Sequence, residues 1–364
     1  MTVEDAARLY DFGRAHPLRP ERVLLTYDHI RDLGIGRGRV TEVPAGSATD
    51  EQINAVHGDD YIATVKGIDA GNLTERAGYE YGLGTPDNPI FPAMHVASAA
   101  VCGATVAAAD AVASGRFTHA FNPAGGLHHA RAREASGFCI YNDPAVAIAH
   151  ILAVRPEWRV MYLDVDVHHG DGVQWIFYDD PRVLTLSLHQ SGRYLYPGTG
   201  FEDEVGLGPG RGTSANIPLE PYTGEDDYLY ALGRVLPELA AAFRPDVLVT
   251  QLGADTHHGD PLANLSLTMR AYAPMAKLIH DVVHDHAGGR WVATGGGGYQ
   301  ATTVVPRVWT IHFAEMCDDA ASIPAEWSDD VSPEAVSRSV RPSVERAVEV
   351  TLERCLPLLG SAKP

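Results

Sequence analysis

Cysteine is scarce in this chain of 364 residues. Cys102, Cys139, Cys317 and Cys355 are scattered and no CxxC occurs, which excludes a disulfide framework and a cysteine-rich zinc module, and suits a reducing cytoplasm. Positive charge is scarce too: 28 Lys+Arg stand against 47 Asp+Glu, a formal net charge of −19. Such a field repels phosphate backbones and anionic lipid, so neither nucleic acid nor a membrane surface is an expected partner; cationic substrates are better ones, although the charge taken alone is read first as keeping the protein soluble. No apolar stretch reaches the roughly 20 residues that a bilayer span needs. The opening Met1-Thr-Val-Glu-Asp is acidic and lacks the apolar core of a secretory signal, so a cytoplasmic location is expected. Repeats, Ser/Gly linkers and long charge blocks are also missing, and nothing cuts the chain into separate units.

What is present is an alternation. Short apolar runs at 119–121, 160–163, 183–188, 247–252 and 291–294 read as buried parallel strands. Helical patterns lie around them at 94–112, 145–154, 228–243 and 268–286, and Val344, Ala347, Val348, Leu352 and Cys355 mark one face of a last helix. The order predicts an α/β fold with a mostly parallel central sheet and helices on both faces. The unusual residues all follow carboxyl ends of strands: "NPAGGLHHARAREASGFCIYND", "DVDVHHGDG", "HQSGRYLYPGTG", "GADTHHGDP" and "GGGGY". In open α/β sheets that edge binds ligands, so the loops should converge on one pocket.

Asp164, Asp166 and His168 are spaced by two on an extended segment, which puts them on one side. Two carboxylates this close repel, and burying them uncompensated is costly. A bound cation resolves this, and carboxylate plus imidazole suits Zn²⁺, or Fe²⁺ or Mn²⁺. A metal-free ion-pair network is disfavoured, because the motif holds no Lys or Arg. Asp166 and His168 would supply two ligands of a catalytic site with an open position, and Asp255 is the best candidate for the third. His128-His129 follows a glycine pair in a strand-end loop, where an imidazole that moves protons needs an acid on its other nitrogen. Asp164 and Asp171 are the acids left over, and two His–Asp dyads beside a metal suit hydrolysis. Gly295 to Gly298 permit close backbone approach, and Tyr299 then either donates to a developing oxyanion or is a packed tyrosine after a turn. No Gly-Lys-Ser/Thr follows "GGGG", so this is not a P-loop, and "GLGPGRG" at 206–212 neither follows a strand nor opens a helix as a dinucleotide fingerprint would.

Taken together, "HPLRPERV" (16–23), "GLGTPDNPIF" (82–91), "GGLHHARAREASGFCIYND" (125–143), "YLDVDVHHGDGVQ" (162–174), "SLHQSGRYLYPGTG" (187–200), "VGLGPGRGTSANIPL" (205–219), "QLGADTHHGDPLANLSLT" (251–268) and "GGGGY" (295–299) resemble the zinc-dependent histone deacetylase superfamily. Among its subgroups the chain looks most like bacterial acetoin-utilisation-type deacetylases. The resemblance implies a single arginase/deacetylase-like domain over 1–364, with its core at about 10–315 and a C-terminal helical extension at about 316–360. It implies Asp166, His168 and Asp255 as zinc ligands, with Fe²⁺ possible in the cell. It pairs His128 with Asp164 and His129 with Asp171, favours His129 as general base and acid, and gives Tyr299 the acyl carbonyl. Gly137, Phe138, Tyr196 and Leu262 match the wall of an acyl-lysine tunnel, Asp87 an acid at its rim, and His16, Pro17 and Arg22 an internal channel. A structural K⁺ would use Asp164, Asp166, His168, Ser187 and Leu188.

The implied activity is removal of acetyl or another short acyl group from the ε-amine of protein lysines. Acetylpolyamine hydrolysis is the alternative, followed by an arginase-like binuclear hydrolase and a silent acyl-lysine binder. His257 stands where arginases carry a second-metal carboxylate, although a supporting histidine is the preferred reading. His57, His95, His119, His280 and His284 have no convergent partners in sequence and are expected to be structural or on the surface. No role is assigned to His169 or His258.

Overall fold

A computed structural model describes residues 7–329 and 331–359. Six strands form one sheet: β1 His119–Asn122, β2 Val160–Asp164, β3 Val183–Gln190, β4 Ser214–Leu219, β5 Val247–Gln251 and β6 Trp291–Thr294. Their order is β1-β6-β5-β2-β3-β4, and every pairing is parallel. Parallel strands need a crossover at each connection, and the helices that make the crossovers cover both faces. Strand residues therefore divide by the two-residue period. Met161, Leu163, Leu186 and Leu248 enter one core with Leu232, Val235, Leu239, Ile279 and Trp309 from helices. Val160, Tyr162, Val183, Val249 and Val292 enter the other with Val101, Ala109, Ile148 and Ile151.

The helices that matter are α1 Glu21–Leu33, α2 Asp59–Asp69, α3 Met94–Ala113, α4 Asp143–Val154, α5 Asp171–Ile176, α6 Glu225–Phe243, α7 Tyr272–His286, α8 Val304–Met316 and α9 Arg341–Leu359. Their starts have local causes. The Asn142 side chain accepts from the Ala145 N–H at 3.0 Å and Pro144 sits in the first turn of α4. Glu225, Asp226 and Asp227 put three carboxylates at the positive end of α6.

One expectation is corrected here. By length and composition α3 is apolar enough to cross a membrane, with 83% of its most apolar 18-residue window buried inside the protein. Its Ala-rich surface packs as a core helix. Strand β4, "SANIPL", is an addition that periodicity did not signal. Pro218 fits there because β4 is an edge strand, where the N–H that proline lacks is not needed by a further strand. The edge is covered by α9: Thr351 Oγ1 donates to the Asn216 carbonyl at 2.6 Å and Cys355 Sγ to the Ser214 carbonyl at 3.3 Å.

Strand order fixes where a ligand site can form. From β2 the chain proceeds outward to β3 and β4, whereas β5 and β6 lie on the other side. The crevice beyond the carboxyl ends of β2 and β5 is the switch point of the sheet, and Asp164 pairs with Gln251 at its floor.

Candidate active site

Beyond β2 the chain is shaped by its own acids. The Asp166 N–H donates to Asp164 Oδ1 at 3.1 Å, and the His168 N–H to Asp166 Oδ1 at 2.9 Å. Asp164 thereby turns away from Asp166 and His168, and those two meet Asp255 from the end of β5. One ligand atom from each lies within 4.8 Å of the others, and all three residues are buried. His168 Nδ1 is 3.1 Å from both Asp166 Oδ1 and Asp255 Oδ2.

The remaining carboxylate oxygens are occupied. Asp166 Oδ2 accepts from Gln251 Nε2 at 2.6 Å and from the Gly297 N–H at 2.7 Å, while Asp255 Oδ1 accepts from the Val167 N–H at 2.9 Å. Asp166 Oδ1, Asp255 Oδ2 and His168 Nδ1 therefore face one another, with two carboxylates and one imidazole. Burial and the neighbouring Asp166 push the Asp255 carboxyl up to about 7. The Asp166 carboxyl stays well below the carboxylate range despite burial, because of His128 and His168, and the two carboxylates drive His168 up to about 10 against its own burial. The buried Arg22 does not neutralise the cluster by direct pairing: its Nη1 donates to the Gly296 and Gly298 carbonyls at 2.8 and 3.1 Å. A divalent cation would supply positive charge here, and this donor set fits one.

The paired histidines form two dyads. His128 Nδ1 lies 2.7 Å from Asp164 Oδ2 and His129 Nδ1 lies 2.7 Å from Asp171 Oδ1, with the two Nε2 atoms 3.0 Å apart. Asp164 and Asp166 lift His128 to about 9, overcoming the burial that would lower it. Burial, and then the charge on His128, lower His129 to about 4. The two adjacent imidazoles are thus pushed in opposite directions, His128 up and His129 down, so His128 is the one that more readily carries the charge. Arg131 donates to Asp171 Oδ2 at 3.0 Å and fixes the second dyad from outside.

Tyr299 stands on the glycine loop after β6. Gly297 is required at its own position: a Cβ would lie 2.1 Å from Asp255 Oδ2 and 2.7 Å from Asp166 Oδ2. Burial, then Asp255 and Asp166, push the Tyr299 phenol well above its ordinary value, so it stays protonated. One cavity is lined by His128, His129, Asp166, Gly297, Phe138 and Tyr299. Phe138 packs edge-on to Tyr299 at 5.7 Å, and Tyr196 packs edge-on to His129 at 5.1 Å. Gly137 lies against the His129 ring, where a Cβ would meet Cδ2 at 2.2 Å. Leu262 and Asp87 are exposed farther out. His16 Nε2 reaches the Asp87 carbonyl at 3.3 Å.

The residues expected to hold K⁺ gather at the ends of β2 and β3. Asp164 pairs with Ser187 in register, and Tyr228 donates to the Val165 carbonyl at 3.2 Å and the Leu188 carbonyl at 3.5 Å.

Several positioning residues were missed in the sequence. Asp260 accepts the Tyr299 N–H at 2.9 Å and the Leu262 N–H at 2.9 Å, joining tyrosine and rim. The buried Asp143 accepts the Gly126 and Leu127 N–H groups at 3.0 and 2.8 Å, and Asn142 donates to the His128 and Ala130 carbonyls at 3.0 and 2.8 Å. His169 now has partners: Thr199 Oγ1 at 2.8 Å and Gln174 Oε1 at 3.0 Å, so it ties the 191–204 loop to α5. His257 faces away from the ligand trio, with Nδ1 accepting from the Gly259 N–H at 3.2 Å and Nε2 3.2 Å from Asp329. Both ring nitrogens are engaged, as suits a supporting histidine. The fold brings together His119, His280 and His284, which showed no convergent partners in the sequence: one ligand nitrogen of each lies within 4.8 Å of the others.

The histone deacetylase domain matches residues 16–316. The chain belongs to the histone deacetylase family. Among its relatives, the acetoin utilization protein AcuC of Bacillus subtilis (strain 168) is 48% identical over 320 residues, covering 87% of this chain and 82% of that one. AcuC of Staphylococcus xylosus is 35% identical over 329 residues, covering 90% and 85%. The crystal structure of a histone deacetylase homologue from Aquifex aeolicus superposes with a TM-score of 0.79 at 31% identity, covering 96% of this chain and 98% of that one. A homologue complexed with SAHA gives the same TM-score at 30% identity and the same coverage. These relatives share the deacetylase fold that the strand order and helical layers describe.

Proposed function

We propose that this deacetylase-family chain is a zinc-dependent amidohydrolase that removes acetyl or other short acyl groups from the ε-amine of protein lysines. The observation that carries the reading is a cavity lined by His128, His129, Asp166 and Tyr299, with Asp166 in a carboxylate–carboxylate–imidazole trio and each histidine backed by its own aspartate. Asp166, His168 and Asp255 would hold the cation, which, when bound, supplies Lewis acidity to the acyl carbonyl and acidifies a water.

The protein's own groups do the rest. His129, neutral and backed by Asp171, takes the proton of the attacking water at Nε2 and returns it to the departing amine. His128, charged and backed by Asp164, steadies the negative charge that develops beside it. Tyr299 donates its O–H to the acyl oxygen as that oxygen becomes an oxyanion. Phe138, Gly137, Tyr196 and Leu262 enclose the acyl-lysine stem, and Asp87 at the rim accepts from the substrate's backbone or from a cationic amine. Asp164, Asp166, His168, Ser187 and Leu188 would hold a K⁺, which would stiffen the ends of β2 and β3. We read residues 1–364 as one such domain working in the cytoplasm, in keeping with four free cysteines.

The test is kcat/KM on acetyl-lysine peptides, longer acyl-lysines and acetylated polyamines, with metal content measured alongside. Tyr299→Phe should keep its metal and lose roughly 10²–10³ in kcat. Asp166→Ala should lose metal and activity together, and a fully active metal-free variant would refute the scheme. Acetylpolyamines ahead of peptides by tenfold or more in kcat/KM would move the substrate to polyamines.

A further inference from the structure

We propose that His119, His280 and His284 form a second transition-metal site, of the Zn²⁺ or Ni²⁺ class, which clamps the outer edge of the sheet. His119 is the first residue of β1, so it lies at the amino edge of the sheet, opposite the catalytic crevice. His280 and His284 are one turn apart on α7 and share a face. Trp291, the first residue of β6, packs against the His119 and His280 rings at 5.7 and 6.0 Å and holds strand and helix at this spacing. The ring centroids lie 4.8–5.3 Å apart, and one nitrogen of each ring lies within 4.8 Å of the others.

Hydrogen bonds decide which nitrogens carry lone pairs. His119 Nδ1 is 2.9 Å from the Met316 carbonyl, which only accepts, so Nδ1 holds the hydrogen and Nε2 is a lone pair. His280 Nδ1 is 3.3 Å from Glu315 Oε1, and the same reasoning leaves a lone pair on its Nε2. His284 Nε2 lies 3.1 Å from His280 Nε2. A hydrogen on His284 Nε2 can satisfy His280, but nothing satisfies His119: its Nε2 is buried and has no hydrogen-bond partner among the described residues. One cation accepting all three lone pairs removes this deficit. A carbonyl behind one imidazole and a carboxylate behind another are the outer partners that orient histidine ligands.

Other features agree. Burial, helped by the two neighbouring imidazoles, keeps His119 below its ordinary value and so neutral. His284 is exposed, which leaves an entry path and an open coordination position. Three imidazoles suit Zn²⁺, Ni²⁺ or Cu²⁺ and not the hard cations Mg²⁺ and Ca²⁺. A bound ion would join β1, α7 and the end of α8 far from the reacting groups, so its role is structural.

The test uses the full chain, stripped with chelator and dialysed against micromolar Zn²⁺, with zinc counted per chain by mass spectrometry. Wild type should hold one equivalent more than His284→Ala, and more than His119→Gln, whatever the catalytic crevice holds. In an Asp166→Ala background, one equivalent should remain and should vanish when His284→Ala is added. This separates the proposal from the catalytic reading: loss of the Asp166-dependent zinc alone speaks only to the crevice. His284→Ala should keep deacetylase activity, which shows that the exposed change leaves the fold intact. Added zinc should raise the Tm of wild type more than that of His284→Ala. Equal zinc content in wild type and His284→Ala, with equal Tm increments, would overturn the site and leave a histidine cluster without metal.

Discussion

Gly297→Ala is the sharpest perturbation of the ligand trio, because it adds one methyl group to a place where nothing can yield. The new Cβ would sit 2.1 Å from Asp255 Oδ2 and 2.7 Å from Asp166 Oδ2, both inside the 3.0 Å that real Cβ contacts keep. Neither acid is free to retreat. Asp166 is held by Gln251 and by the Gly297 N–H itself, and Asp255 by the Val167 N–H. The loop must move instead, which breaks the 2.7 Å bond from the Gly297 N–H to Asp166. Overpacking costs about 1–3 kcal/mol and a lost hydrogen bond to a charged group about 1.5–3 kcal/mol. The two acids would also be spread, so zinc affinity should fall at least roughly 10–100-fold. Equilibrium dialysis at fixed free zinc, with the Asp166-dependent equivalent counted, measures that loss. Gly46→Ala is the control, since nothing lies within 4 Å of its new Cβ. Zinc affinity within twofold of wild type in Gly297→Ala would refute the claim that these carboxylates are rigidly held.

Three further outcomes are expected. Asp171→Asn replaces the acceptor that His129 Nδ1 faces at 2.7 Å, so the wrong tautomer is favoured; kcat should fall roughly 10²–10⁴ with metal content unchanged, and an unaltered kcat would remove the dyad from proton transfer. Thr351→Val leaves the buried Asn216 carbonyl without its 2.6 Å donor and should cost about 1–3 kcal/mol in urea unfolding, whereas no loss would mean that the β4 edge is not held there. His57 is buried between the Arg131 carbonyl and the Asn142 N–H, and burial lowers it to about 4 from an ordinary 6.5. The folded state thus refuses a proton that the unfolded chain accepts. Its contribution is complete above pH 6.5 and is lost as pH falls towards 4, about 3 kcal/mol in all. The urea midpoint should therefore drop more steeply over that interval in wild type than in His57→Gln, and parallel curves would contradict the assignment.

The candidate catalytic groups were legible because chemistry concentrates them. Acids and imidazoles directly after apolar runs have no packing explanation, and parallel strands deliver such loops to one edge. The residues that position those groups gave a weaker signal. Asp143 and Asn142 look like an ordinary helix start in "YNDP", and their second task, holding the His128 loop, depends on contacts across 12 to 17 residues. Asp260 stood in the same "GADTHHGDP" run as Asp255 and could have been noticed as a further acid at a strand end. Strand β4 was hidden because its burial comes from α9, more than 120 residues later. His280 and His284 show helical spacing in the sequence, but their partner His119 is 161 residues upstream and only the neighbouring positions of β1 and β6 bring it in.

The place of β1 in the sheet also dictates the order in which the protein can be finished. Among the described residues its only sheet neighbour is β6. A ribosome working at about 5–20 residues per second needs about 10–30 s to cover the roughly 170 residues between the two strands. Throughout that time the apolar α3 lacks Val292 as a neighbour, β1 presents unpaired backbone, and the Tyr299 loop does not yet exist. Nascent chains are therefore sticky at their amino-terminal third and chemically silent until the last strand arrives. A chaperone that shields α3 would act in this interval, and activity would appear in a single late step of synthesis.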